Sequence, residues 1–111
     1  MKNTVVVLIC LLLLLNVSSC HKNTNQNNKL KIAFIYVGPI GDAGWTYAHE
    51  QGRQQIKQLD FVEKTIAIEN ISTKEDAMRV ISELADDGYK LIFAASYEHY
   101  DAVIESATKY P

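Results

Sequence analysis

Residues Leu30 to Val37 are rich in branched and aromatic side chains, stay almost continuously apolar after Lys31, and stop at Gly38-Pro39. A strand with one wet face alternates apolar and polar residues. One that is apolar at consecutive positions must be covered on both faces, as in a parallel sheet held between helical layers. The adjoining segment can supply such a layer. From Trp45 the apolar or small residues Trp45, Ala48, Gly52, Ile56 and Leu59 fall at helical spacing, with His49, Glu50, Arg53, Gln54 and Lys57 opposite. This predicts a helix that turns the first set inward, with Gly52 at a close helix-to-sheet approach.

Phe61 to Ile71 reads as a second strand with Val62, Lys64, Ile66 and Ile68 on one face, and Lys64 marks a sheet edge. Ser72-Thr73-Lys74-Glu75 has the capping-box layout and predicts a helix burying Ala77, Val80, Ile81, Leu84 and Ala85, closed by Gly88 in the left-handed region. Lys90 to Ala95 is a third apolar strand. Tyr97 to Tyr110 is a third helix with Tyr100, Val103, Ile104 and Ala107 inward. Strand and helix in alternation give an α/β fold with a Rossmann-like parallel sheet, right-handed crossovers and strand order 2-1-3. Such a sheet binds ligands outside the carboxyl ends of its strands, at the switch between strands one and three. The loops there are residues 38–45 and 96–99.

Upstream lies a different kind of sequence. Val5 to Leu15 is an unbroken apolar run behind Lys2, followed by Asn16 and the small residues around Cys20. The run is shorter than the roughly 20 apolar residues a spanning helix needs and has the layout of an export signal. Val17-Ser18-Ser19-Cys20 resembles the bacterial lipobox, whose cysteine is diacylated and becomes the new amino terminus. Cys10 would leave with the leader, so Cys20 is the single thiol of the mature chain and no internal disulfide can form. His21 to Lys29 holds no apolar residue and reads as a tether. The expected organisation is a signal peptide at 1–19, a lipidated Cys20 and tether at 20–29, and one folded unit at 30–111.

Composition narrows the chemistry. With 48% hydrophobic and 22% charged residues and only 5 Gly and 2 Pro, the chain is neither disordered nor collagen-like. Ten of the 11 Lys and Arg, and all 13 Asp and Glu, lie at or beyond Cys20, which leaves an acidic balance and no case for nucleic acid. His49-Glu50-Gln51-Gly52-Arg53 fails as a zinc motif because Arg53 stands where the second histidine is needed. Ser96 lacks the glycine elbow of a nucleophile and is more simply a helix cap. The glycines at 38, 41 and 44 fit neither the dinucleotide spacing nor a phosphate loop. Asp42 can accept hydrogen bonds from a ligand or cap the helix, and Trp45 can stack on a ring or join the core. No catalytic residue, metal or cofactor is expected.

Residues Lys31 to Arg53, with Gly38-Pro39-Ile40-Gly41-Asp42-Ala43-Gly44-Trp45 at their centre, resemble the start of the basic membrane protein family. Arg79 to Ala85, Lys90 to Tyr97 and Tyr100-Asp101 continue the likeness in order. These are substrate-binding lipoproteins of ABC importers, many of which take purine nucleosides. The resemblance implies the partial amino-terminal lobe of a type I periplasmic-binding-protein fold, whose two lobes close over a ligand and present it to a permease. Carried over, Asp42, Gly44, Trp45, Ser96 and Tyr97 line the ligand site and Cys20 carries the lipid on the outer or periplasmic side of the membrane. Members with the clearer nucleoside signature have a D-K-S-F-N-Q-like run where this chain reads Asp42-Ala43-Gly44-Trp45-Thr46-Tyr47, so a purine base or another ring is also in scope. A membrane-anchored sensor or regulator on the same fold is the alternative. An enzyme on a flavodoxin-like domain lacks any nucleophile, base or metal set. A two-lobe binding protein needs several times this length, so the chain is expected to hold one wall of a cleft.

Overall fold

The computed structural model describes residues 29–111; the expected leader, the lipobox at Cys20 and the tether up to residue 28 lie outside the described residues. Strand β1 (Leu30–Ile35) is followed by a 3-10 turn (Ile40–Asp42) and helix α1 (Trp45–Ile56). Then come β2 (Val62–Ile68), α2 (Lys74–Asp86), β3 (Leu91–Ala94), a second 3-10 turn (Tyr97–His99) and α3 (Tyr100–Lys109). The sheet is parallel throughout, in the order β2-β1-β3. β1 is therefore the central strand, which is why it is apolar on both faces.

On one face Ala33 and Ile35 meet Ala77, Val80, Ile81 and Leu84 of α2 and Ala102 of α3, with Ile66, Ile68 and Ile92 beside them. On the other face Ile32, Phe34, Tyr36 and Val62 pack with Ile40, Ile56, Ala67 and Ala95. Burying a side chain of this size is worth about 1.5–3 kcal/mol. Gly88 ends α2 at φ 83°, as expected, while Gly88 and Tyr89 return their amides to the Ala85 and Leu84 carbonyls at 3.0 Å each.

Four expectations need correction. Val62 does not share a face with Ile66 and Ile68. The pairing slips from Leu30 with Val62 to Lys31 with Lys64, so Glu63 is an extra residue that turns Val62 to the opposite side. The cap of α2 is Thr73, one residue past Ser72: its Oγ1 accepts from the Asp76 amide at 3.1 Å and donates to the Asp76 carboxylate at 2.9 Å. Helix α1 buries Thr46 and Glu50, whereas Trp45, Ala48, Gly52 and Leu59 are exposed. Of the expected inward set only Ile56 packs on the core, the rest of the inward face being held by the polar bonds of Glu50, and a Cβ on Gly52 would meet nothing within 4 Å. Helix α3 buries Ala102 and Ser106, which let it approach α2, and leaves Tyr100, Val103, Ile104 and Ala107 exposed.

Candidate functional site

The chain leaves β1 at Ile35 and turns over Gly38-Pro39 into the 3-10 turn, with Ala43 in the left-handed region at φ 52° just before α1. Asp42 holds this turn. Its Oδ1 accepts from the Gly44 and Tyr47 amides at 2.8 and 3.0 Å, and its Oδ2 from the Thr46 amide at 2.9 Å. Those backbone bonds, Gly44 first, hold its pKa down from 3.8 to about 2. The N-cap position of α1 is Gly44, and the Asp42 carboxylate, two residues before it, does the capping, with three of a carboxylate's roughly four acceptor positions engaged. The same bonds occupy the Thr46 and Tyr47 amides, two of those at the start of α1 that would otherwise attract an anion. Glu69, at the end of β2, fixes the turn from the other side by accepting the Ile40 amide at 2.6 Å.

Trp45 opens α1 at the carboxyl edge of the sheet and is 63% exposed, so it belongs to no core. Its indole Nε1 donates to the Ala95 carbonyl at 2.5 Å, which ties the loop after β1 to the end of β3. His49, one turn on, lies against the indole with centroids 4.8 Å apart at 60°. The donor of Trp45 is used and its orientation set, while most of its ring is open to solvent. A tethered aromatic face of this kind can stack on a flat ring or on the apolar side of a sugar.

The loop after β3 supplies the other predicted residues. Ser96 precedes the second 3-10 turn without a side-chain cap bond, and its hydroxyl donates to the Glu98 carboxylate. Tyr97 is 88% exposed and lies parallel to Tyr100, with ring centroids 6.4 Å apart at 11°. His99 is fully buried, and its Nε2 donates to the Ile71 carbonyl at 2.6 Å, so it clamps this loop to the one after β2. Asp42, Gly44, Trp45, Ser96 and Tyr97 therefore all lie in the two loops at the carboxyl edge of β1 and β3. No group of His, Cys, Asp and Glu among the described residues is arranged to hold a metal ion.

Beneath the edge lies a polar cluster that periodicity alone could not disclose. Glu50, 5% exposed, accepts from Arg53 Nε and Nη2 at 2.7 and 2.6 Å, from Gln54 Nε2 at 2.6 Å and from the Tyr36 hydroxyl at 3.2 Å. Arg53 Nη1 continues to Thr65 Oγ1 at 2.8 Å. The Arg53 guanidinium keeps the Glu50 carboxyl below its ordinary range, and burial next to that carboxylate pushes the Tyr36 hydroxyl up. Tyr36 directly follows β1 and ends the buried run that begins in it, so this cluster fastens α1, with Trp45 at its head, to the end of the central strand. The one available sequence signal was Glu50-x-x-Arg53 at a spacing that puts both on one helix face.

Residues 29–111 match the family described as ABC transporter substrate-binding protein, PnrA-like. The chain belongs to that family. It is 45% identical over 89 residues to a purine-binding protein of Brucella abortus, a match covering 78% of this chain and 25% of the relative. It is 31% identical over 88 residues to a protein of Haloferax volcanii named as an ABC transporter glucose-binding protein, covering 78% of this chain and 22% of that one. An ABC transporter solute-binding protein of Conexibacter woesei has the same fold, with a TM-score of 0.69 at 20% identity over 74% of this chain and 27% of its own. The chain spans about a quarter of the length of these relatives. The expected family, the α/β class and the strand order β2-β1-β3 are all found.

Proposed function

We propose that this chain forms one wall of the ligand cleft of an ABC-importer binding protein that captures a purine base or nucleoside, held to the outer face of the cell membrane through a diacylated Cys20. The observation that carries the ligand class is the Trp45 indole, exposed at the switch point yet fixed by its bond to Ala95. The engagement of the α1 amides by Asp42 suits a neutral ring better than an anion. The likeness to a protein named for purine binding supports the same reading. Trp45 supplies the apolar face, Tyr97 a second aromatic surface, and Ser96 and the remaining acceptor position of Asp42 the polar discrimination. Such a protein captures and delivers without bond chemistry, its permease recognising the closed form.

The likeness to a protein named for glucose binding favours a second reading, in which the indole stacks on a sugar. Calorimetry separates the two on a hybrid in which residues 29–111 replace the matched quarter of the Brucella relative. Binding of adenine, adenosine or guanosine that is lost with Trp45→Ala is the expected result. Binding of glucose alone, or purine affinity unchanged by Trp45→Ala, overturns it. Incorporation of a palmitate analogue that disappears with Cys20→Ser tests the anchor.

A further inference from the structure

At the end of the sheet opposite the candidate site, the strands begin and the helices stop. The turn from α1 into β2 is fixed by its own backbone: the Leu59 amide donates to the Ile56 carbonyl and the Val62 amide to the Leu59 carbonyl, both at 3.0 Å. That turn holds Leu59 and Phe61 outward, 44% and 53% exposed, and neither joins a core cluster. The Leu30 amide donates to the Phe61 carbonyl at 2.8 Å, so β1 begins beside this pair. Lys29, Lys31, Lys57, Lys64, Lys90 and Lys109 all lie at the same end, against the acids Asp60, Glu63, Asp86 and Asp87. Among the described residues none of these lysines is in an ion pair, whereas the basic residues elsewhere, Arg53, Lys74 and Arg79, are each paired with a carboxylate. The carboxyl end has the reverse character, with Asp42, Glu69, Glu75, Asp76, Glu98 and Asp101 against Lys74. Single exposed apolar residues are ordinary, but two large ones held out by one fixed turn, at the end that gathers the unpaired cations, make a surface suited to contact.

We propose that this amino edge is a membrane-contact face, with Leu59 and Phe61 set into the headgroup region of the bilayer and the unpaired lysines on its anionic lipids. The inference rests on the Cys20 anchor proposed above, which says where the bilayer is. From Cys20 to Leu30 is ten residues, at most about 35 Å of extended chain, and it enters the fold at the residue bonded to Phe61, so this edge stays within reach of the lipid. An aromatic and a leucine with lysines around them is the composition that lies in a membrane interface, its apolar side chains about 5–10 Å deep. Lysines close to an anionic surface are drawn to it, and the acidic carboxyl edge is repelled by the same surface. The chain is thereby turned with Trp45 toward solvent, the posture in which a cleft meets its ligand. A second copy meeting this edge would set lysine against lysine, which leaves the bilayer as the occupant that the charges fit.

The test reads tryptophan quenching by brominated phosphatidylcholine, with the full chain, as its producing cell processes it, reconstituted into vesicles of equal parts phosphatidylcholine and phosphatidylglycerol. Trp45, the single tryptophan, reports the carboxyl edge, and Phe61→Trp combined with Trp45→Phe reports the amino edge, both positions being exposed. The amino-edge tryptophan should be quenched about twofold or more and Trp45 by less than about a fifth, because only side chains at interface depth meet the bromine. Lys57→Glu with Lys90→Glu, or vesicles of phosphatidylcholine alone, should at least halve the amino-edge quenching with the circular dichroism of the chain unchanged. Equal quenching at the two edges, quenching indifferent to both changes of charge, or self-association in solution that Phe61→Ser abolishes would each overturn the proposal. Failure of the anchor is read separately, as absence of palmitate on Cys20; failure of this face leaves the palmitate in place and the tryptophan at position 61 unquenched.

Discussion

On one face of the sheet α2 presses Val80, Ile81 and Leu84 onto Ala33 and Ile35; on the other, α1 turns Glu50 and Arg53 toward Tyr36 and Thr65. Apolar packing of the first kind gains most of its energy from area removed from water and tolerates some sliding. A charged cluster of the second kind gains little net stability but fixes distances, because each member loses heavily if its partner moves. The rigid attachment lies under the helix that carries Trp45, where the proposed ligand wall needs a set orientation. The ordinary attachment lies under the helices that only close the core.

The largest effect should come from breaking the polar layer. Glu50→Ala leaves Arg53, whose side chain is 12% exposed, without its counter-charge and should cost about 3–5 kcal/mol in urea unfolding followed by the single tryptophan. Replacing the set together, as Tyr36→Phe with Glu50→Leu and Arg53→Met, should recover most of that loss; if it does not, the layer is more than a matched set of charges. In the apolar layer Leu84→Ala should cost about 3 kcal/mol with no change in Trp45 emission in the native state, whereas Glu50→Ala should shift that emission. Thr73→Ala removes the α2 cap and should cost about 1 kcal/mol by the same unfolding measurement. Gly52→Ala should raise stability by about 0.5–1 kcal/mol, since its site is open helix surface. A loss would return Gly52 to a close contact with the sheet.

The smallest effect is a matter of sign. The folded pKa of Asp42, about 2, lies below its ordinary 3.8, so its contribution is complete above about pH 4 and disappears as the pH falls through 2. Acid unfolding of Asp42→Asn should therefore show a shallower loss across that window than the parent chain. Equal slopes would mean that the carboxylate is not what caps α1.

The difference between the layers also explains which parts were legible in advance. At α2 the spacing of Ala77, Val80, Ile81 and Leu84 and the stop at Gly88 matched the structure, because apolar periodicity and packing share one cause there. At α1 the same rule pointed to Trp45, Ala48, Gly52, Ile56 and Leu59, of which only Ile56 packs on the core, and the structure buries Thr46 and Glu50 instead, because much of that contact lies in the Glu50 hydrogen bonds that periodicity does not register. At α3 the rule named Val103 and Ala107, which line a groove with no partner among the described residues. For the site, the loops at 38–45 and 96–99 were located by strand order alone. The choice left open for Asp42 between ligand acceptor and helix cap is answered by three backbone bonds for the cap, with one acceptor position over. His99 offered no signal, since its role depends on the distant Ile71 carbonyl.

By itself the sequence determined the α/β class, the central place of β1 and the sheet edge to which the proposed ligand site is assigned, because these rest on local apolarity and on chain connectivity, both of which are written residue by residue. Only the tertiary structure decided which face α1 buries, that the Trp45 nitrogen is bound to Ala95, and that Phe93 of β3 stacks on Phe34 while staying partly exposed. Each of these depends on groups far apart in the chain, Tyr36 with Glu50, Trp45 with Ala95, Phe34 with Phe93, whose meeting is settled by three-dimensional packing and leaves no periodic mark.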